Sequence, residues 1–548
     1  YRVDGVRIIA PRKLSSGRLY FDCVCFNFMS RGPRPDYQQP WAGKPELLKH
    51  PERLLYESHD ISLNRPWLPP LIPRTRISER TMNELALIEQ RALARIAFRN
   101  QLPPHSIDEL RREFAQLEIR RNGDIITGRP LNTGGFYDAL PNAVSFSTWM
   151  TVLRRACTLY RSAKRSRNRN VANEALQMFF DLCDYLIDQG ATEGNANVGG
   201  MFSGYQLRYW HPHVMDMRDE LRATGRLRKM ALTVAWFLGG SIMFMEKPSF
   251  DTDTLSNGIR NLLAAIMLLP DPSEKLQRLR ALQRMFNLVL TSNYPVGLDG
   301  VVIHHGMHHL AYASYSMPAA FGIFEMLRDT QFQFNPQVHE RLRTYVYATA
   351  FSANKYTVPP NMNGRAGTPL QINVAPLARI MAKAGTPDGR ERIDREMAQI
   401  FLWLNASPND PIAKEFITMG LKPKPPTGHW TLNGASAALH RRDEWLVAIV
   451  GMNRFKRGLE IYGWLENNNY GRYARNGSIC IISCGEPPSV YASGYSFEGW
   501  NWCHWAGATS LIRPSYELYD YYRMYGNPSA IAGGTSLDGD GIWGMDFR

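Results

Sequence analysis

The chain has 548 residues and a mass of 62.5 kDa. A chain of this length exceeds the size of a domain with a single hydrophobic core, so we expect two or more domains. Its hydrophobic fraction of 44% and charged fraction of 21% exclude a disordered or collagen-like chain. The net charge of +14 favours an anionic partner, with nucleic acid, acidic polysaccharide and a membrane surface as candidates.

No apolar run reaches the roughly 18–20 residues that span a bilayer. The nearest, 231–245, is interrupted by Gly239 and Gly240 and predicts a buried helix. The seven cysteines form neither a CxxC pair nor a metal-binding spacing, which predicts that most of them are buried thiols. The chain starts at Tyr1 without a signal-peptide core and stops abruptly at Arg548, so we interpret both ends as cut.

Three zones follow one another along the chain. Residues 1–30 alternate apolar and polar side chains and predict the last strands of a β-domain, and a proline-rich stretch ending at 66–73 predicts a linker. From about residue 78 to 421 the apolar spacing is helical, and Thr81 with Glu84 has the form of a capping box. Further helices are predicted at 176–186, 255–269, 274–290, 338–353 and 390–404. This many helices predict a large all-α domain, either a solenoid or an α/α toroid.

Beyond the proline-rich residues 422–426 the pattern changes to β. Strands are predicted at 430–432, 445–450, 479–483 and 509–512, with Gly, Asn and Pro in the turns between them. The order β, α, β excludes a Rossmann enzyme and a barrel enzyme.

The densest cluster of reactive side chains lies at 299–318, where four of the thirteen histidines fall between positions 304 and 309. The i, i+4 spacing of His304 with His308, and of His305 with His309, is compatible with a metal site. Against it, there is no HExxH motif, and Gly306 weakens a helix here. Acid–base chemistry by His and Tyr on a loop between helices is a second interpretation, and a polar loop of satisfied histidines is the third.

Five segments, taken in chain order, carry a family resemblance. They are Asp299-Gly300 through His305 to Tyr315-Ser316-Met317-Pro318; Gly364-Arg365; Leu432-Asn433-Gly434 through His440-Arg441; Glu460-Ile461-Tyr462 through Tyr470-Gly471-Arg472-Tyr473; and Glu498-Gly499-Trp500-Asn501-Trp502 through Gly507-Ala508-Thr509. Together they resemble the family 8 polysaccharide lyases, and within that family the chondroitin sulfate ABC lyases. Less specific likeness extends from about residue 10 to the C-terminus.

The resemblance implies a multidomain α+β fold. Residues 1–60 would be the tail of an N-terminal β-sandwich plus a linker, residues 61–425 an incomplete (α/α) toroid, and residues 426–548 an antiparallel β-sandwich that continues past Arg548. It also implies cleavage of hexosamine–uronic acid bonds of chondroitin or dermatan sulfate by β-elimination, which removes the C5 proton of the uronate and expels the C4 oxygen.

The same resemblance assigns four catalytic roles. Tyr315 would transfer the proton, His305 would be its partner, Arg365 would hold Tyr315 in a positive field, and Glu460 would orient Arg365 or His305. Tyr312 is a competing candidate for Tyr315. A free tyrosine has a pKa of about 10, so a phenolate base near neutral pH requires stabilisation of about 3–4 kcal/mol, which one Arg about 4 Å away supplies.

Substrate binding is assigned to Asn197, Tyr205, Arg208, Trp210, Trp500 and Trp502. The two indoles at 500 and 502 would share one side of a strand, where they stack on sugar rings or pack into a core. Family members carry a His pair or an Asn near Met201 and Phe202, so Asn197, Arg208 or His211 would have to neutralise the uronate carboxylate, or the substrate range is altered.

The remaining expectations concern partners. The expected partner is an anionic glycosaminoglycan rather than nucleic acid or a membrane, and a secreted or periplasmic monomer is expected. A basic run at 154–169 attracts sulfated chains or is a solvated helix face. No organic cofactor and no metal are expected; calcium is unsupported, since residues 538–541 are interpreted as a β-turn. The alternatives are a lyase for hyaluronan or another uronic-acid polymer, and a glycosaminoglycan-binding protein with impaired catalysis.

Overall fold

The computed structural model describes most of the chain beyond residue 75. The described residues are 76–95, 106–123, 125–132, 144–189, 193, 210–365, 370–405, 407, 409–443, 445–455, 473–496, 500–501, 504–508, 510–512 and 529–546. The predicted N-terminal strands and the proline-rich linker lie outside them.

The chain divides into two compact units. The first comprises Tyr1–Trp67 with Asn100–Gly200, and the second comprises Leu68–Arg99 with Met201–Arg548. The domain boundaries expected from the sequence, at 60 and 425, stay predictions. The change from helices to strands in the second unit falls between Thr418 and Gly428.

The first unit is built around an antiparallel pair of long helices. Its described helices are Ile107–Ala115, Phe146–Arg165 and Arg169–Asp188, and its short strands are Arg120–Asn122, Ile125–Thr127, Leu131–Asn132 and Val144–Ser145. Trp149 is fully buried between the long helices and donates its indole N–H to the carbonyl of Leu182 at 3.2 Å. Burial of such a large ring stabilises this pair.

The second unit is helix-rich up to residue 418. Its described α-helices are Glu79–Arg95, Trp210–Asp216, Arg218–Ala223, Leu227–Phe237, Thr252–Asn257, Leu262–Met267, Pro272–Val289, Leu310–Leu327, Pro336–Ser352, Ala375–Ala384, Arg395–Leu404 and Pro411–Thr418. Short 3₁₀ helices occupy Gly240–Phe244, Ile259–Asn261, Pro360–Met362 and Asn433–Ala435. The predicted helices at 274–290 and 338–353 are therefore confirmed within two residues, whereas the one at 255–269 is broken into three short pieces.

One predicted helix start is wrong. The helix begins at Glu79, and the Ser78 hydroxyl accepts from the Thr81 N–H at 3.2 Å, so Ser78 caps it. Thr81 lies inside the helix and is buried, as are the predicted apolar positions Leu85, Ile88 and Ala92. Serine and threonine both cap helices. The spacing of Thr81 and Glu84 fits a capping box, so the prediction placed the cap at Thr81 rather than at Ser78.

The described strands of the second unit form small antiparallel sheets. They are Ile303–His304, Met307–His308, Thr357–Val358, Leu370–Gln371, Gly428–Leu432, Ala437–Arg442, Trp445–Val450, Ser478–Ile482, Ala532–Leu537 and Asp540–Met545. The largest sheet has four strands, which are neighbours in the order Ser478–Ile482, Trp445–Val450, Ala437–Arg442 and Gly428–Leu432. The strand predicted at 509–512 is wrong, because residues 510–512 are irregular. Asp538 and Gly539 form the expected turn, with positive φ at both positions, between the last two strands.

Polar contacts link the region of this sheet to the helical part of the unit. The Asp299 carboxylate accepts from the Gly434 N–H at 2.7 Å, so two of the segments singled out in the sequence meet. Fully buried Arg441 donates to Asn354 at 3.0 Å and to the Phe351 carbonyl at 3.1 Å. Among the described helices, none combines the length and apolar character needed to cross a bilayer.

Candidate active site

The histidine cluster forms a tight β-hairpin rather than the expected loop. Strands Ile303–His304 and Met307–His308 pair through Ile303 with His308 and His304 with Met307, which leaves His305 and Gly306 as a two-residue turn. Both turn residues have positive φ, 51° and 78°, as a type I′ turn requires. The hairpin therefore buries His304 and His308 and leaves His305 half-buried at its tip.

His309 links this hairpin to the helix Leu310–Leu327. Its Nδ1 accepts from the Tyr312 N–H at 3.4 Å, so His309 is the N-cap of this helix. The cap fixes the first turn of the helix, and with it the position of Tyr312, which is 5% exposed. Tyr315 follows one turn later on the same face and is 37% exposed.

Arg365 reaches Tyr312 from a distant loop. Its Nη2 donates to the Tyr312 hydroxyl at 2.7 Å, and its guanidinium carbon lies 4.9 Å from the centre of the Tyr312 ring. The loop is held in place because the Asn363 side chain accepts from the Arg365 N–H at 2.9 Å. Gly364, with φ +91°, lies against His309, where an added Cβ would come within 2.7 Å of the His309 Cα.

Three imidazole rings surround the Tyr312 ring. The His304 ring stacks on it with centroids 3.9 Å apart and planes 28° apart. The rings of His305 and His309 meet it edge-on at 5.4 Å and 4.3 Å. Tyr312 is thus the centre of the cluster, and a guanidinium donor on its hydroxyl favours the phenolate over the phenol.

Tyr315 makes a different contact. Its hydroxyl donates to Asp253 Oδ1 at 2.6 Å, and the Asp253 carboxylate is buried. The other carboxylate oxygen, Oδ2, lies 3.9 Å from His304 Nε2. The Tyr315 assignment from the sequence stays a prediction, and the geometry favours Tyr312 as the tyrosine activated by Arg365.

A buried arginine, Arg475, contacts the backbone of the hairpin. Arg475 is 1% exposed and donates through Nη2 to the carbonyl of His308 at 3.1 Å. Burial lowers the pKa of Arg475 to about 10, so its charge persists at neutral pH. Sequence reasoning missed Arg475 and Asp253, since neither belongs to a chemical motif.

The other assigned residues are placed as follows. Trp500 is half-buried, and its ring packs on Tyr495 and Trp505 with centroids 4.6 Å and 5.6 Å away, as a core side chain would. Trp210 begins the helix Trp210–Asp216, but its side chain lies outside the described part of the structure. Glu460, Asn197, Tyr205, Arg208 and Trp502 also lie outside the described residues. Their roles stay predictions.

The metal interpretation gains no support from the described part of the chain, which contains no group of three or more His, Cys, Asp or Glu arranged to hold an ion. His304 Nδ1 faces the Thr252 hydroxyl at 2.8 Å, and His308 Nδ1 lies 3.2 Å from the backbone of Val302. The arrangement instead provides a tyrosine hydroxyl in a positive field with a half-buried imidazole beside it, a pair suited to moving a proton.

Sequence comparison finds relatives with named activities. The chain is 24% identical to a chondroitin sulfate ABC exolyase of Bacteroides thetaiotaomicron and 26% identical to one of Proteus vulgaris, over 93% and 94% of this chain. It spans about half the length of these curated relatives, 53% and 54%.

Solved structures show the same fold. A chondroitin AC lyase of Streptomyces coelicolor A3 superposes with a TM-score of 0.55 at 14% identity, covering 85% of this chain and 66% of that one. A Paenibacillus xanthan lyase gives a TM-score of 0.55 at 11% identity, covering 85% and 46%. The family model described as "Lyase, catalytic" matches residues 72–411, which is well over half of the 548 residues. The chain therefore belongs to the lyase catalytic family.

Proposed function

We propose that the chain is the catalytic part of a polysaccharide lyase that cleaves chondroitin or dermatan sulfate at hexosamine–uronic acid bonds. The named activities of the curated relatives support the substrate class. The observation that carries the chemistry is the 2.7 Å contact between Arg365 and the Tyr312 hydroxyl, with the His305 ring 5.4 Å from the Tyr312 ring.

In the proposed reaction, Tyr312 as phenolate takes the C5 proton of the uronate. The electron pair of the broken C–H bond forms the C4–C5 double bond, and the C4–O bond breaks. The leaving oxygen receives a proton from Tyr312 or from His305, so the protons balance and no redox partner or organic cofactor is required. Arg365 stabilises the phenolate, because its positive charge offsets the negative charge on the hydroxyl oxygen.

Tyr315 is the alternative for this role, and its contact with Asp253 argues against it. A phenol that donates at 2.6 Å to a buried carboxylate is stabilised as the neutral donor, because ionisation would place two negative charges side by side. Tyr312 has a cationic donor on its hydroxyl, which acts in the opposite direction. The proposal keeps the orienting role predicted for Glu460. It also keeps the predicted sugar-binding residues, which are Asn197, Tyr205, Arg208, Trp210, Trp500 and Trp502.

The finer fold and setting are also part of the proposal. The helices up to Thr418 would form an incomplete (α/α) toroid and the following strands part of a β-sandwich, consistent with the fold likeness to chondroitin AC lyase. We further propose a secreted or periplasmic monomer whose partner is an anionic polysaccharide rather than nucleic acid or a membrane, in keeping with the charge of +14.

A substrate panel tests the function. The protein is incubated with chondroitin sulfates, dermatan sulfate and hyaluronan, and near-ultraviolet absorbance and product size are followed. Elimination creates a conjugated double bond that absorbs there, whereas hydrolysis and binding create none. A signal confined to hyaluronan would transfer the proposal to that polymer, and retention of chondroitin sulfate without any signal would identify a binding protein with impaired catalysis.

A further inference from the structure

His304 lies between a buried carboxylate and the Tyr312 ring. Its side chain is almost fully buried, and its Nε2 is 3.9 Å from Asp253 Oδ2. Its Nδ1 is 2.8 Å from the hydroxyl of Thr252, a residue that is also buried. Nδ1 is therefore within hydrogen-bond distance of a hydroxyl, and Nε2 is within ion-pair distance of a carboxylate, so both surroundings suit an imidazolium.

The buried carboxylate of Asp253 is costly unless positive charge lies near it. Asp253 is 2% exposed, and the Tyr315 hydroxyl donates to its Oδ1 at 2.6 Å. That hydrogen bond favours the ionised carboxylate, and the ionised carboxylate in turn favours the cationic form of His304.

The same imidazole ring stacks on Tyr312 with centroids 3.9 Å apart. A positive charge on the stacked ring favours the phenolate form of Tyr312 over the phenol. Arg365 contributes from the hydroxyl end of the same ring. Two cations would then act on one tyrosine.

We propose that Asp253 and His304 are positioning residues for the reaction proposed above: Asp253 holds His304 in its cationic form, and the stacked imidazolium lowers the pH at which Tyr312 ionises. The inference rests on the proposed function for its purpose but not for its test, since the ionisation of Tyr312 can be read without substrate. Tyr315 is the outer member of the arrangement and keeps the carboxylate ionised.

Several other charged or titratable groups face this arrangement and enter the interpretation of its pH dependence. His305 and His309 lie on the hairpin side, Tyr312 and Tyr315 lie on the helix, and Arg365 lies on the loop. Arg260 donates to the Tyr315 carbonyl at 2.7 Å. Tyr294 interacts electrostatically with both Asp251 and Asp253.

The test is a tyrosine titration by ultraviolet difference absorbance in the intact protein. The signal of Tyr312 is obtained by subtracting Y312F from the parent, and again by subtracting the double variant H304Q/Y312F from H304Q. We expect the ionisation midpoint of Tyr312 to rise by about one pH unit or more in H304Q, a tenfold change in proton affinity. D253N, which keeps the shape of the side chain, should move it in the same direction.

The matched control is H308Q, a substitution of another buried histidine of the same hairpin whose Nδ1 contacts the backbone of Val302. It should lower stability without moving the midpoint. An unchanged midpoint in H304Q or in D253N overturns the inference, and so does an equal shift in H308Q. Absence of lyase product from the parent protein would sink the proposed function while leaving this titration readable.

Discussion

Tyr312 and Tyr315 are three positions apart on one helix, with ring centroids 5.3 Å apart. Residues at this spacing share a helix face, so the sequence alone does not separate the two as acid–base candidates. Their partners separate them: Arg365 arrives at Tyr312 from 53 positions further along the chain, and Asp253 meets Tyr315 from 62 positions before it. Such long-range contacts leave no local pattern in the sequence. The prediction therefore relied on the Ser316-Met317-Pro318 segment that follows Tyr315, and it chose Tyr315.

Replacement of Arg365 tests the positive field at Tyr312. We expect R365M to lower kcat by about 100-fold, because the donor and charge at the hydroxyl are both lost. R365K keeps the charge but not the planar fork, so a smaller loss of about 10-fold is expected. Steady-state kinetics on chondroitin sulfate measure both, and equal kcat values for R365M and the parent would contradict the assignment.

His339 provides a prediction about acid stability that is independent of catalysis. Burial lowers the pKa of His339 to about 4, from an ordinary value of 6.5. Between these values the unfolded chain binds more protons than the folded one, so His339 stabilises the fold above pH 6.5 and this stability is lost as pH falls toward 4. The loss between pH 7 and pH 5 is about 2 kcal/mol.

Urea unfolding of the parent and H339Q at pH 7 and pH 5 measures this effect. The decrease in the free energy of unfolding on acidification should be smaller in H339Q, since glutamine does not titrate. Identical decreases in the two proteins would mean that His339 does not contribute.

At the scale of elements, periodicity predicted the long helices well and the special turns poorly. Pro272–Val289 and Trp445–Val450 lie where the apolar spacing placed them. The hairpin turn at His305-Gly306 depends on two residues with positive φ, and His-Gly is not among the residue pairs that signal such a turn in a sequence. Four clustered histidines therefore pointed to chemistry but not to the geometry that presents them.

The loop that carries Arg365 has a steric requirement that can be tested. Gly364 has a positive φ and leaves no room for a Cβ beside His309. Gly389 has φ +71° with nothing within 4 Å of an added Cβ, so G389A reports backbone strain alone. We expect G389A to cost about 1 kcal/mol of stability and G364A about 3 kcal/mol, because overpacking adds to strain.

Activity should separate these two variants further. G364A displaces the loop and its Arg365, so kcat should fall more than stability alone would predict, whereas kcat of G389A should stay at the parent value. Equal stability and equal kcat for the two variants would show that the Gly364 contact is unimportant.

For the whole molecule, several segments that matched the lyases are structural rather than chemical. The Asp299 carboxylate accepts from the Gly434 N–H, and buried Arg441 donates to the carbonyl of Phe351 near the end of the helix Pro336–Ser352. These contacts join the region of the four-stranded sheet to the loop before the hairpin and to the helix Pro336–Ser352. The order of segments thus predicted a helix-rich part followed by antiparallel strands, whereas the toroid and the sandwich stay predictions. The contacts were needed to tell which of the matched residues join elements and which could react.

The charge of the molecule predicts how a sulfated polymer is attracted. Lys164, Arg165, Arg167 and Arg169 are exposed around one helix–helix turn of the first unit. Because exposed charges are screened by salt, neutralising Arg165, Arg167 and Arg169 to Gln should weaken chondroitin sulfate binding several-fold at low salt and reduce its salt dependence.

The control makes the same change in net charge elsewhere. Arg390, Arg392 and Arg395 are also exposed, and their triple replacement by Gln should leave the affinity closer to that of the parent. Equal losses in the two triple variants would indicate that net charge, rather than the 164–169 surface, attracts the polymer.

The rate of unsaturated product formation by Y312F and Y315F tests most directly whether Tyr312 transfers the proton. Both rates are measured side by side by near-ultraviolet absorbance with chondroitin sulfate as substrate. Removal of a proton-transfer hydroxyl lowers the rate by about 100-fold or more, and this is the loss we predict for Y312F. Y315F should keep a larger share of activity, since its hydroxyl supports Asp253. A Y312F enzyme as active as the parent, with Y315F inactive, would contradict the assignment of Tyr312 as the proton-transfer residue.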